Sequence, residues 1–182
     1  GEPVFPDDPQ FGELYGLFNE RQTGGTLGAD IRAPWAWSAT TGSRQIVVAV
    51  CDTGLDRGST APASLHDDFE NGSGVSRVLA LYDLVGGGDG ASDVNSGHGT
   101  HVAGSVLGNG DLSGATPSSQ TYPETAYVGM APEASLVFQA VEDDGGDLSG
   151  IPLDLNNLFP QAYTAGARLH TNSWGANVKG AY

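Results

Sequence analysis

The chain has 182 residues, with 22 acidic against seven basic side chains and a formal charge of −15. A field of that sign repels phosphate backbones and anionic lipid headgroups, which argues against nucleic acid and membrane partners. The longest aliphatic run, the six residues Ile46 to Cys51, is far below the ~20 that cross a bilayer. One cysteine leaves no internal disulfide, and the length suits one domain with its own core.

Residues 1–29 are rich in Pro, Gly and Asp and read as an N-terminal arm, with Phe11, Leu14, Tyr15, Leu17 and Phe18 as contacts and room for one helical turn. The start Gly1-Glu2-Pro3 reads as processed, so a removed leader fits it. Residues 30–182 form the body. A helix is expected over Asp30–Ala39, with Pro34 near its start and Trp35 and Trp37 beside it. Ile46–Cys51 is continuously apolar and β-branched, the mark of a strand covered on both faces. Residues 53–76 read as loop, and Arg77–Leu84 as a second strand. Gly86 to Gly90 forms a flexible loop before a helix over His98–Leu107. Residues 108–127 read as a surface excursion, and Ser135–Val141 as a third strand.

A last helix is expected over Leu153–Ala165. Leu155, Leu158, Phe159, Ala162 and Tyr163 recur there at helical spacing, and Gly166 is the C-cap. Leu169–Ser173 closes the pattern as a fourth strand. Strands alternate with helices, so the fold class is α/β, a mostly parallel central sheet flanked by helices. Such sheets bind ligands beyond the carboxyl ends of their strands. Asp52 stands there for the first strand and Ser173 to Gly175 for the last, with His98 at a helix start on the same rim.

A carboxylate at a strand end and an imidazole at a helix start suit a hydrolytic relay. The carboxylate accepts the Nδ1–H and fixes the tautomer, and Nε2 removes a proton from a nucleophile. The positive end of the helix is expected to keep His98 a free base near neutrality. Gly97 and Gly99 are expected to leave room for substrate beside the ring.

Each signal alone has a plainer reading: Asp52-Thr53-Gly54 as a turn, His98 as a cap or core histidine. Together with their flanks they resemble the subtilisin-like serine proteases. The likeness lies in Val48-Ala49-Val50-Cys51-Asp52-Thr53-Gly54, His98-Gly99-Thr100-His101-Val102-Ala103-Gly104, Gly129-Met130-Ala131-Pro132-Glu133-Ala134-Ser135-Leu136 and Asn172-Ser173-Trp174-Gly175, in the family's order across residues 28–178. Gly104 to Gly110 and His170 to Ala176 look most like the alkaline, oxidation-resistant bacterial branch.

The resemblance implies a serine endopeptidase acting through an acyl-enzyme. Asp52 would be the triad aspartate and His98 the general base, with His101 a packed or hydrogen-bonded structural histidine. Ser173, Trp174 and Gly175 would form one wall of the specificity pocket. Asp144, Gly145 and Gly146 would form the opposite edge, pairing with extended substrate as an added strand. The family's nucleophile segment, Gly-Thr-Ser-Met-Ala, and its oxyanion segment, Ala-Gly-Asn, are absent from the chain. The expectation is an incomplete subtilisin-like sheet with a wide apolar face. A second chain carrying the C-terminal half would complete it, after a nick at the surface loop beyond Tyr182. No cofactor is expected for the chemistry, and secretion is the expected localisation.

Other chemistries fit less well. An aspartic protease needs two facing carboxylates, and Asp-Thr-Gly occurs once. Cys51 should point away from Asp52 along a strand, as a packed thiol. His98 and His101 lack the glutamate of a His-Glu-x-x-His zinc site, so no metal site is assigned. Structural calcium is the more plausible cation, near Asp83, Asp89, Asp93 and Asn95. Their spacing is not that of an EF-hand, and a solvated loop is the stronger reading. The rival function is a pseudoprotease or fragment that binds without chemistry.

Overall fold

The computed structural model describes residues 1–6, 11–56, 66–70, 75–86, 90–93, 95–110 and 129–175. Four parallel strands, β1 (Val47–Asp52), β2 (Val78–Asp83), β3 (Ser135–Ala140) and β4 (Leu169–Asn172), stand in the order β2-β3-β1-β4. The α-helices among the described residues are α1 (Ala33–Trp37), α2 (His98–Leu107) and α3 (Phe159–Thr164). The α/β class with a parallel sheet and flanking helices is what the sequence pattern predicts. The expected excursion at 108–127 lies outside the described residues from 111 onward, as do 87–89 of the Gly-rich loop.

Strand burial follows position in the sheet. β1 and β3 are central and buried almost throughout, while β2 and β4 are edges and only half-buried. Two helical layers cover the central pair, which is why their sequences are continuously apolar rather than alternating. The two-residue period of β1 then sorts its side chains. Val48 and Val50 enter a core with Ala103 and Leu107 of α2, Leu136 and Phe138 of β3, and Leu55 and Phe69. Ala49 packs with Val137, Ala162 and Ala167 on the opposite face. Cys51 packs there with Val141, Leu158 and, at the margin, Trp174. Asp52 shares parity with Val48 and Val50 and therefore faces α2.

Two helices are shorter than their sequence patterns. The α1 pattern over Asp30–Ala39 yields only Ala33–Trp37, because Arg32 sits in the left-handed region at φ 53° and the Asp30 carboxylate accepts its N–H. The pattern over Leu153–Ala165 yields a 3₁₀ turn, Leu155–Asn157, and then α3 from Phe159. Pro160 has no N–H to give and its ring crowds the preceding turn, so a helix can begin at Pro160 but not run through it. The apolar stripe is also only half-buried. Leu158 and Ala162 are in the core, but Leu155, Phe159 and Tyr163 are exposed. The C-cap is as expected: Gly166 has φ 104°, its N–H reaches the Tyr163 carbonyl, and Ala167 N–H reaches that of Ala162.

The arm carries one 3₁₀ turn, Phe11–Glu13. Phe5 stands edge-on to Phe11 and Phe18, and these rings meet Trp37 and Trp35 of α1. Leu14 and Tyr15, expected as contacts, are exposed. Trp37 Nε1 donates to the Met130 carbonyl at 2.9 Å, tying α1 to the segment before β3.

Candidate active site

The carboxyl ends of β1, β3 and β4 lie side by side. Asp52 pairs with Ala140, and Cys51 with Asn172. The residues that follow Ala140 and Asn172 therefore leave the sheet on either side of Asp52. Val141 N–H bonds the Asp52 carbonyl and Glu142 N–H that of Thr53. Trp174 is half-buried against Cys51, Val141 and Leu158, while Ser173 and Gly175 are exposed.

Asp52 is fully buried, and its Oδ1 accepts from Thr53 N–H at 2.8 Å and lies 2.6 Å from His98 Nδ1. A carboxylate only accepts, so Nδ1 is the donor and Nε2 is left as the free lone pair of the neutral ring. The His98 side chain is 47% exposed. Asp52 Oδ2 is buried without a hydrogen-bond partner among the described residues.

Two expectations about this pair need correction. The hydrogen bond to Asp52 and its negative charge raise the His98 pKa above the ordinary histidine value, with Asp93 and Glu142 adding to the rise. The helix N-terminus is outweighed, because a carboxylate in contact acts more strongly than partial charges on N–H groups that are already bonded. Nor does Gly99 make room for substrate. A Cβ there would stand 2.3 Å from the Gly54 carbonyl oxygen and 3.0 Å from the Phe138 ring, so the missing side chain lets α2 touch β1. Gly97 does face open space, and its φ of 71° suits glycine at the helix N-cap. His101, expected to be packed or hydrogen-bonded, is exposed on α2.

Asp144, Gly145 and Gly146 are exposed in a tight turn. Gly145 N–H donates to the Asp143 carboxylate and Gly146 N–H to the Asp143 carbonyl. The Asp147 N–H, with the hydroxyl of Ser149, holds the Asp143 carboxyl below the usual range. The Asn95 side chain bridges the loop before α2 to this edge through Glu142 Oε2 and the Asp143 carbonyl. Cys51 is a packed thiol, pushed up to about 11 by burial.

The described residues among those considered for calcium bond to the protein itself. Asp83 accepts from the N–H groups of Val85 and Gly86, Asp93 from two threonines, and Asn95 reaches across the site. Among the described residues no three acidic, His or Cys side chains converge, and Asp89 lies outside them.

The sequence reading missed the role of Asp93, Thr53 and Thr100, which tie α2 to β1, and that of Arg77. Arg77 is buried, and its guanidinium donates to the carbonyls of Ala134, Leu107, Glu70 and Asp68. The one signal was a lone cation opening a largely apolar strand.

Residues 43–181 match the Peptidase_S8 family, the subtilases. Thermitase of Thermoactinomyces vulgaris is 30% identical over 173 residues, which are 95% of this chain and 49% of that protein. The major intracellular serine protease of Bacillus subtilis is 35% identical over 134 residues, 72% of this chain and 35% of that protein. The serine protease/ABC transporter B family protein tagB of Dictyostelium discoideum is 28% identical over 143 residues, and the match spans 7% of its length. The chain thus covers less than half of each of these relatives. The CspB protease of Clostridium perfringens shares the fold, with a TM-score of 0.52 at 22% identity over 82% of this chain and 33% of that one.

Proposed function

The chain belongs to the subtilase family, and we propose that it supplies the aspartate and histidine of a serine endopeptidase. The observation that carries this reading is the 2.6 Å contact between buried Asp52 and exposed His98. Asp52 holds the Nδ1–H tautomer, so Nε2 can take the proton of an attacking serine as its oxygen bonds to the scissile carbonyl carbon. The same Nε2 returns that proton to the leaving amine, and the acyl-enzyme then forms. Water follows the same route and releases the acid. No cofactor enters the sequence of steps.

The serine and the oxyanion asparagine would lie on a segment outside these 182 residues, in the same chain or a second one. Two features support that. Asp52 Oδ2 is buried without a donor among the described residues, and the exposed apolar side chains of α3 and β4 offer a face to cover. Ser173, Trp174 and Gly175 would form one wall of the substrate groove, and Asp144, Gly145 and Gly146 the other. The alkaline, oxidation-resistant branch is our finer assignment. It expects activity retained at alkaline pH and after peroxide. Secretion is our assignment for localisation, resting on the acidic composition, and is checked by finding the protein in the medium rather than the lysate.

The test is fluorophosphonate labelling of the purified native protein, read by intact mass under denaturing conditions. A labelled species, lost in Asp52→Asn and His98→Ala, is the expected result. A protein that takes no label and cleaves no peptide is instead the binding module without chemistry.

A further inference from the structure

The first turn of α2 carries His98, yet its N-cap is Gly97, which has no side chain to cap it. Its N–H groups are met by side chains from elsewhere. His98 N–H donates to Ser96 Oγ, Gly99 N–H to Thr53 Oγ1 at 2.8 Å, and Thr100 N–H to Asp93 Oδ2 at 2.9 Å. Thr53 and Thr100 are themselves held by one carboxylate. Thr53 Oγ1 donates to Asp93 Oδ1 at 3.0 Å and Thr100 Oγ1 to Asp93 Oδ2 at 2.7 Å. Thr100 Oγ1 also accepts from Asp56 N–H at 2.7 Å.

Asp93 therefore clasps the residue after Asp52 and the second residue after His98. Close backbone approach fixes the clasp in place: a Cβ on Gly54 would stand 2.4 Å from the Ser92 carbonyl oxygen, and Leu55 N–H bonds the Ala91 carbonyl.

We infer that Asp93 is a positioning residue for the reaction, holding α2 against the end of β1 so that His98 Nδ1 meets Asp52. The inference rests on the proposed protease reading for its kinetic consequence, but not for its geometry. The charged groups that raise the His98 pKa are Asp52 from β1, Asp93 from the loop before α2, and Glu142 from the segment after β3. Asp93, which stands on neither element, bonds Thr100 of α2 and Thr53 at the strand end.

The experiment compares Asp93→Asn, Asp93→Glu and Thr100→Val in the full-length protein, with peptide kinetics against pH and NMR titration of His98. Asparagine keeps one acceptor and loses the charge. In Asp93→Asn, kcat is expected to fall about 100-fold with KM nearly unchanged, the effect of misplacing a reacting group by about an ångström. Its His98 pKa should fall, moving the acid limb of kcat/KM to lower pH. Thr100→Val, which keeps the charge, should lose rate with a smaller pH shift, and Asp93→Glu should recover part of both.

The NMR titration reads His98 without activity. If Asp52→Asn and His98→Ala leave proteolysis intact, the protease reading fails while the Asp93 effect on His98 stays measurable. An Asp93→Asn protein with lower Tm but unchanged His98 titration and acid limb would overturn the inference. If Asp93→Asn does not fold, Thr100→Val decides: unchanged kcat would overturn it.

Discussion

α2 covers β1 and β3 with Ala103 and Leu107 fully buried, and its first turn is bonded to Thr53 and Asp93. α3 covers the other face with Ala162 but leaves Phe159 and Tyr163 in solvent, above a shallow cleft of about 250 Å³ that Leu169 and His170 also line. The first face is fully covered, and Gly99 there is a contact point between backbones. The second is less fully covered, beside β4, which pairs along one edge among the described residues. The difference teaches where exactness is demanded. A hydrogen bond between a buried carboxylate and a histidine depends on sub-ångström placement, and the residues that supply it are small, polar and close. The other face carries apolar side chains that nothing among the described residues covers.

The comparison breaks most sharply at the pair itself. If the proposed reading holds, Asp52→Asn is expected to lower kcat on the order of 10⁴-fold and His98→Ala on the order of 10⁶-fold in the complete enzyme, with little loss of binding. Kinetics on a peptide ester check this.

Gly99→Ala comes next. Its Cβ would meet the Gly54 carbonyl oxygen at 2.3 Å, backbone against backbone, with no flexible side chain to yield. A loss of about 3 kcal/mol is expected from forced overpacking, measured by denaturant unfolding. Gly97→Ala faces open space and pays only for its left-handed backbone, at about 1 kcal/mol.

Arg77→Met should cost about 2 kcal/mol, because buried carbonyls at the C-terminus of α2 and before β3 lose their donor. The smallest effect is expected on the open face. Leu169→Ser in the 182-residue chain should change stability by no more than about 0.5 kcal/mol. In the complete protein the same change should cost about 2 kcal/mol if the proposed segment buries Leu169.

Much of the fold was legible because burial on both faces writes a continuous apolar run, as in β1 and β3. The Asp52–His98 pair was legible from its flanks. α3 was misread because helical spacing of apolar residues carries no information about Pro160, whose missing N–H decides where a helix starts. The Asp93 clasp was not legible at all. Its members are polar residues without periodicity, two in loops and Thr100 in the first turn of α2, and their meeting depends on how closely Gly54 and Gly99 let the backbones approach. The role of Gly99 was misassigned for the same reason: a glycine next to a reactive residue reads as open space until its neighbours are known.

The charge linkage of the pair gives the most direct test. Asp52 favours protonated His98, so the pair's contribution to folding is fully present below about pH 6.5 and is lost as pH rises through the raised pKa. The proposed catalysis would run the other way, since the free base predominates only above that pKa. The deciding measurement is the NMR titration of His98 in the native protein and in Asp52→Asn. A His98 pKa above the ordinary value, falling when Asp52 loses its charge, is the predicted result. A pKa at or below the ordinary value, unmoved by Asp52→Asn, would contradict the coupling on which the whole reading stands.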